Sequence, residues 1–200
     1  MENISILLPV RPEWLVEILN GEKTIEIRKT MPKCRLPIDV YLYCCKSKKK
    51  LFFDKVYNKY MYGEDTPKDR FNSLNGKVVA KFTLNKVEKV ELERIDYSTE
   101  DYGYRFNDEV LIKSCLTEEQ LESYLLSKDG KGYAWYIDNL QIFDTPKELK
   151  DFYVEDKAYN NCFGWIVDEN EKRVPLKKAP QSWCYCWCYC IYNISGFMLF

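Results

Sequence analysis

Apolar and polar residues alternate along most of this chain with the two-residue period of strands, and only a few short stretches carry a helical stripe. Residues 4–10 are an apolar run stopped by Pro9 and Pro12, which predicts a strand. Pro12-Glu13 then opens a short helix, because proline suits the first helical turn and an acid complements the positive end of the dipole. Trp14, Leu15, Ile18 and Leu19 form its one-sided stripe, and Asn20-Gly21 ends it. Residues 23–29 predict a strand with Ile25 and Ile27 on one face and Thr24, Glu26 and Arg28 on the other. Pro32 and Pro37 bracket a loop, and residues 38–45 alternate as a further strand.

Beyond that point the pattern loosens. Residues 46–75 are polar and predict a long excursion with at most short local structure. After the Asn75-Gly76 turn, residues 77–92 read as one long strand or a hairpin, and residues 93–115 as an irregular, Tyr-rich insertion. Thr117 through Gln120 is a capping box for a second helix with Leu121, Tyr124 and Leu125 on its buried face, ended by Gly130 and Gly132. Residues 133–143 predict a strand or two with a turn at Asp138-Asn139. A second box at Thr145 through Glu148 predicts a helix using Leu149, Phe152 and Tyr153. Strands at 162–167 and 182–192, joined through a polar turn at 168–172, close the pattern. Strands dominate, so the expected class is α+β: a small mixed β-barrel with a few short flanking helices. It occupies residues 1–186 as one domain with insertions at about 46–75 and 93–115, followed by an apolar, Cys-rich tail at 187–200.

Composition narrows the chemistry. Two hundred residues with 46% hydrophobic and 30% charged side chains describe a chain able to bury a core. There is no histidine, which excludes Ser-His-Asp and Cys-His catalysis and His-ligated zinc. No glycine-rich phosphate cradle follows a strand. No apolar run reaches the roughly 18 residues of a membrane span, and no basic flank precedes the first apolar stretch, so a cytoplasmic protein without a membrane partner is expected. Nine cysteines, an odd number, read as reduced thiols. Cys184, Cys186, Cys188 and Cys190 would share one face of a strand, with a soft-metal site as the alternative to incidental thiols. No cofactor or metal is assigned, and Glu64, Asp65 and Asp69 read as solvated.

The net charge of −1 conceals an asymmetry: residues 1–100 hold 19 Lys and Arg against 15 Asp and Glu, and residues 101–200 hold 11 against 16. Lys46, Lys48, Lys49 and Lys50 make a compact basic run that is either a solvated loop or a phosphate-contacting patch.

The densest polar set is Gly21-Glu22-Lys23-Thr24-Ile25-Glu26-Ile27-Arg28. Its G-x-K-x-x-E-x-R spacing, entered from a short amphipathic helix after an N-terminal strand, resembles the signature of the ASCH domain family, which is PUA-like. Gly132-Tyr133-Ala134-Trp135, Ile137 through Leu140, Pro146 through Phe152 and Ala179-Pro180-Gln181-Ser182-Trp183-Cys184-Tyr185 are similar, in the same order, to phage- and prophage-type members. The resemblance implies a β-barrel with a cleft beside the first helix, and RNA binding or RNA-related chemistry. One bacterial branch deacetylates N4-acetylcytidine with a Lys, a Thr nucleophile three residues later and a distant Glu. Lys23 matches that Lys, but Glu26 stands where the Thr would be, which argues against the amidohydrolase activity.

The residues themselves support a ligand site. Arg28 offers a planar fork for phosphate or a base edge, Lys23 a point charge, and Glu26 an acceptor. Arg11 and Lys33 would reach phosphates at the rim, the alternative being plain surface solvation, and Trp183 and Tyr185 would stack on a base, the alternative being a place in the core. The preferred expectation is a module that binds RNA, a nucleoside or a nucleotide. An enzyme using Lys23 and Glu26 is the first alternative. A protein-binding effector module using residues 93–115 is the second.

Overall fold

The computed structural model describes residues 4–64, 72–96, 102–105, 107–127, 129–155 and 173–188. The expected strand at 162–167, the turn at 168–172, Asp65, Asp69, Cys190 and the rest of the tail lie outside them. The elements, in chain order, are β1 (Ser5–Val10), α1 (Pro12–Leu19), β2 (Ile25–Arg28), β3 (Ile38–Cys44), β4 (Lys50–Asp54), β5 (Lys59–Gly63), β6 (Val78–Leu84) and β7 (Val87–Glu91). Then follow β8 (Glu93–Asp96), β9 (Tyr102–Arg105), α2 (Asp108–Ser114), α3 (Glu118–Leu126), β10 (Lys131–Tyr136), β11 (Asp138–Lys147), β12 (Phe152–Glu155), β13 (Arg173–Pro175) and β14 (Cys184–Cys188).

Seven strands make the main sheet in the order β11-β6-β3-β1-β14-β12-β13. β1 and β3 are parallel, and their antiparallel neighbours extend the sheet on either side. Both faces are covered. Ile6, Leu8, Val40, Leu42 and Phe82 pack under α1 on one side, while Leu7, Tyr41, Tyr43, Val78 and Phe152 form a separate cluster on the other. That double burial is why residues 4–10 read as a continuous apolar run. A second sheet, β2-β10-β7, carries Ile25, Ile27, Val90 and Ala134 against α2 and α3.

The fold is α+β as expected. Closure into a barrel is not seen among the described residues: β11 and β13 end the main sheet without pairing to each other. β11 carries two register irregularities along β6, and β13 is three residues long.

Several local expectations change. The polar segment after β3 contains the β4–β5 hairpin. Leu51 is fully buried in the core beside α1, and Asn20, the C-cap of α1, exchanges hydrogen bonds of 3.0 Å with the main chain of Tyr60 in both directions. Residues 77–92 are neither one strand nor a hairpin, because the chain leaves the main sheet after β6 and enters the second sheet as β7. The same transfer occurs between β10 and β11, with Asn139 in the left-handed region (φ 49°). The insertion at 93–115 holds the β8–β9 pair and α2, whose Asn107 cap accepts from the N–H groups of Glu109 and Val110. Residues 145–147 remain in β11. The capping residues there are Glu148 and Asp151, around a single 3₁₀ turn, after which Phe152 starts β12. β14 continues to Cys188 and pairs Trp187 and Cys188 with Tyr153 and Phe152.

Candidate functional site

The turn after α1 sets the site. Gly21 takes φ +78°, and the N–H groups of Glu22 and Lys23 both converge on the carbonyl of Glu17 at 2.9 and 3.1 Å. The chain thereby doubles back and delivers Lys23 inward, just before β2 begins. In β2, Glu26 stands opposite Trp135 and Arg28 opposite Tyr133 of β10. The period of two puts both charged side chains on the face turned away from Ile25 and Ile27.

Lys23 is 2% exposed and Glu26 7%. Lys23 Nζ lies 3.3 Å from Glu26 Oε2 and donates to the carbonyl of Ser114, the last residue of α2, at 2.5 Å. Its ammonium is 5.8 Å from the centroid of the Trp14 ring. Arg28 Nη2 lies 2.9 Å from Glu26 Oε1 and donates to the Pro9 carbonyl at 2.8 Å. Arg28 Nε is buried without a hydrogen-bond partner among the described residues. Glu26 is therefore a carboxylate held between two cations. Buried charges are tolerated on this condition, that each is paired and hydrogen-bonded.

These three side chains line a cleft of about 1050 Å³. One wall comes from the end of β1 and the start of α1, including Arg11 and Trp14. α3 contributes Glu119, Ser123 and Tyr124, and residues 179–182 complete the lining. Arg11, Lys23, Arg28 and Lys29 oppose Glu26 and Glu119 in the lining, so the charge is net positive. Tyr124 carries the Lys29 ammonium 4.7 Å from its ring centroid. Burial pushes both the Tyr124 hydroxyl and the Cys45 thiol up; Arg28 opposes the shift in each, and Arg11 also does so for Cys45. Both groups stay neutral near pH 7.

Among the residues expected from sequence, Lys23, Glu26, Arg28 and Arg11 converge on the cleft. Lys33, Trp183 and Tyr185 do not line it. Trp183 packs edge-on to Trp135 at 5.7 Å and to Tyr185 at 5.4 Å, and its Nε1 donates to Thr30 Oγ1. The Tyr185 hydroxyl accepts the Lys33 main-chain N–H at 2.7 Å. Both rings pack on the first core, and the small polar turn Pro180-Gln181-Ser182 before them reaches the cleft instead. The α3 wall escaped sequence reasoning. Its signal was the polar face of a helix whose apolar stripe was already recognised.

No family model matches the chain, and no curated protein matches it. Among the solved structures it is similar to are those of one ASCH protein and its variants. The ASCH protein of Zymomonas mobilis is 15% identical over 72% of this chain and 73% of that one, with a TM-score of 0.45. A serine-to-alanine variant of it is 14% identical over 87% and 89%, with the same TM-score. Among the described residues no helix is long and apolar enough to cross a membrane, and no group of three or more Cys, Asp or Glu is placed to hold a metal ion.

Proposed function

We propose that this chain is an RNA- or nucleotide-binding module of the ASCH, PUA-like kind, which grips one nucleotide in the cleft beside α1. The observation that carries the reading is Glu26 buried between Lys23 and Arg28 at a cleft whose lining is net positive. A pair that merely pins a strand needs one cation and no cavity. Here two cations meet the carboxylate, and Arg11 and Lys29 add positive charge to the same lining. The volume suits a ligand of nucleotide size, and Trp14 and Tyr124 supply aromatic surface.

Within this reading Lys23 is an internal tie, Glu26 its counter-ion and a hydrogen-bond acceptor, and Arg28 the fork that meets phosphate or a base edge. The enzymatic alternative is weaker. Lys23 is almost inaccessible, with donors committed to Ser114 and Glu26, and Glu26 stands where the amidohydrolase branch has its Thr. An acyl group on a carboxylate would be a reactive anhydride, so release of acetate from N4-acetylcytidine is not expected.

A thermal-shift and calorimetric screen against nucleosides, nucleotides and short RNAs tests the reading. Arg28→Lys keeps a cation beside Glu26 but removes the fork. It should lower nucleotide affinity about tenfold or more while the melting temperature moves by only a few degrees. Unchanged binding by Arg28→Lys, or no ligand in the screen bound by the native protein, rejects the proposal.

A further inference from the structure

The basic run at residues 46–50 lies outside the cleft lining but is built, and the chain enters it directly from Cys45, a lining residue. Asn75 clamps it: Nδ2 donates to the carbonyls of Lys49 at 2.8 Å and Ser47 at 3.4 Å, and Oδ1 accepts the Leu51 N–H at 2.9 Å. Leu51 is itself fully buried, so the loop is fastened at its far end. At its near end Cys45 lines the cleft and donates its N–H to Val10, another lining residue. A second chain of contacts leads back to the same rim. Lys49 lies 5.5 Å from the Tyr62 ring centroid, the Tyr62 hydroxyl donates to Glu13, and Glu13 is 3.9 Å from Arg11.

Lys46, Lys48 and Lys49 are exposed on this clamped loop. Lys49 has an ion pair with Glu64 at 3.8 Å between two exposed side chains, a contact of the kind that contributes little and exchanges readily for phosphate. We propose that Lys46, Lys48 and Lys49 form a phosphate track for single-stranded RNA, one nucleotide of which occupies the cleft. The inference rests on the cleft being a nucleotide site, and it extends the ligand from a nucleotide to a strand. The strand is single because a base must leave its stack to enter a cleft, and a flexible backbone can then follow the lysines.

The test compares the native protein with the triple variant Lys46→Gln, Lys48→Gln and Lys49→Gln. Affinities for uridine 5′-monophosphate and for a labelled oligouridylate of about twelve nucleotides are measured over a range of salt. The track predicts that the oligonucleotide binds the variant about tenfold more weakly at low salt. Its log K against log salt should be shallower by about 2, from three phosphates at ~0.7 each. Affinity for the monophosphate should stay within about twofold. An unchanged oligonucleotide affinity and slope in the variant overturns the track. So does an oligonucleotide that binds the native protein no more tightly than the monophosphate, or a duplex of the same length that binds equally well. If the oligonucleotide binds through the lysines but the monophosphate does not bind, the track stands and the cleft reading falls. If the native protein binds neither, both fall, and the lysines are left as a surface for an acidic protein segment.

Discussion

At the scale of single residues, Lys23 joins three parts of the molecule: the turn after α1, the C-terminal carbonyl of α2 and the carboxylate of β2. A cation at a helix C-terminus also answers the dipole, so its charge is satisfied twice over. Lys23→Met would leave the Ser114 carbonyl buried without a donor and Glu26 with Arg28 alone. The expected cost is about 2–3 kcal/mol, a fall in melting temperature of roughly 6–10 °C, measured by thermal or urea unfolding. A Lys23→Met protein of native stability would mean that the ammonium is not a tie. The sequence singled out Lys23, Glu26 and Arg28 because three charges on a short strand exceed what a solvated face needs. It did not reveal Ser114, since the acceptor is a main-chain carbonyl 91 positions away, invisible to any pattern of side chains.

The cysteines give a pH dependence on the same scale. Burial raises the Cys44 thiol to about 12, and burial first, then the neighbouring Cys184 and Cys188, push Cys186 higher still. A thiol held neutral by the folded state costs nothing below its unfolded pKa of about 9. Above that pH the unfolded chain releases a proton the folded chain keeps, so stability falls as pH rises. The slope is about 1.4 kcal/mol per pH unit for each thiol. Urea midpoints should therefore be flat between pH 7 and about 8.5 and drop steeply by about pH 10, and a Cys44→Ala, Cys186→Ser variant should lose much of that drop. A native midpoint flat through about pH 10 would refute it.

At the scale of elements, what could be read from the chain depended on whether an element's own residues carried its reason to exist. α1 and α3 were legible because stripe and caps are local: Pro12 opens one, and Thr117 with Gln120 boxes the other. The β4–β5 hairpin was not, because its polar composition hides Leu51, which finds its apolar partners on α1 and the main sheet. The break between β6 and β7 was equally hidden, since alternation continues across it while the chain changes sheet. Close packing between elements is sharpest at Gly132 on β10. A Cβ there would lie 2.5 Å from Leu125 Cδ2 of α3 and 3.2 Å from the Arg28 carbonyl of β2. Leu125 is fully buried and has little room to yield. Gly132→Ala should therefore cost about 2 kcal/mol and, by displacing α3 and Arg28 together, weaken the nucleotide binding proposed for the cleft beyond the loss of stability. Native stability and affinity in that variant would show that α3 has slack against the second sheet.

At the scale of the whole molecule, the cleft exists because two sheets and two helices, α1 and α3, meet, and its walls come from stretches of chain more than 100 residues apart. The class and the polar strand at the centre could be read in advance, whereas closure of the sheet and the α3 wall depend on how distant pieces meet. The C-terminal strand shows what that means for stability. β14 lies between β1 and β12. Its first half pairs Cys184, Tyr185 and Cys186 with Leu7, Ile6 and Ser5, and its second half pairs Trp187 and Cys188 with Tyr153 and Phe152. The composition of residues 187–200 suggests an appendage, and on that view a cut after Cys186 would be nearly harmless. The register argues otherwise for the first two of them, because they are what connect β12 and β13 to the rest of the sheet, and Phe152 is fully buried on that junction. A chain ending at Cys186 should melt at least about 5 °C below one ending at Cys188, since it loses the ladder that seats Phe152. Hydrogen exchange should show the added opening at β12 before it appears at β1 or β3. Equal melting temperatures for the two truncations would show that Phe152 and its strand are held by the other face of the core alone.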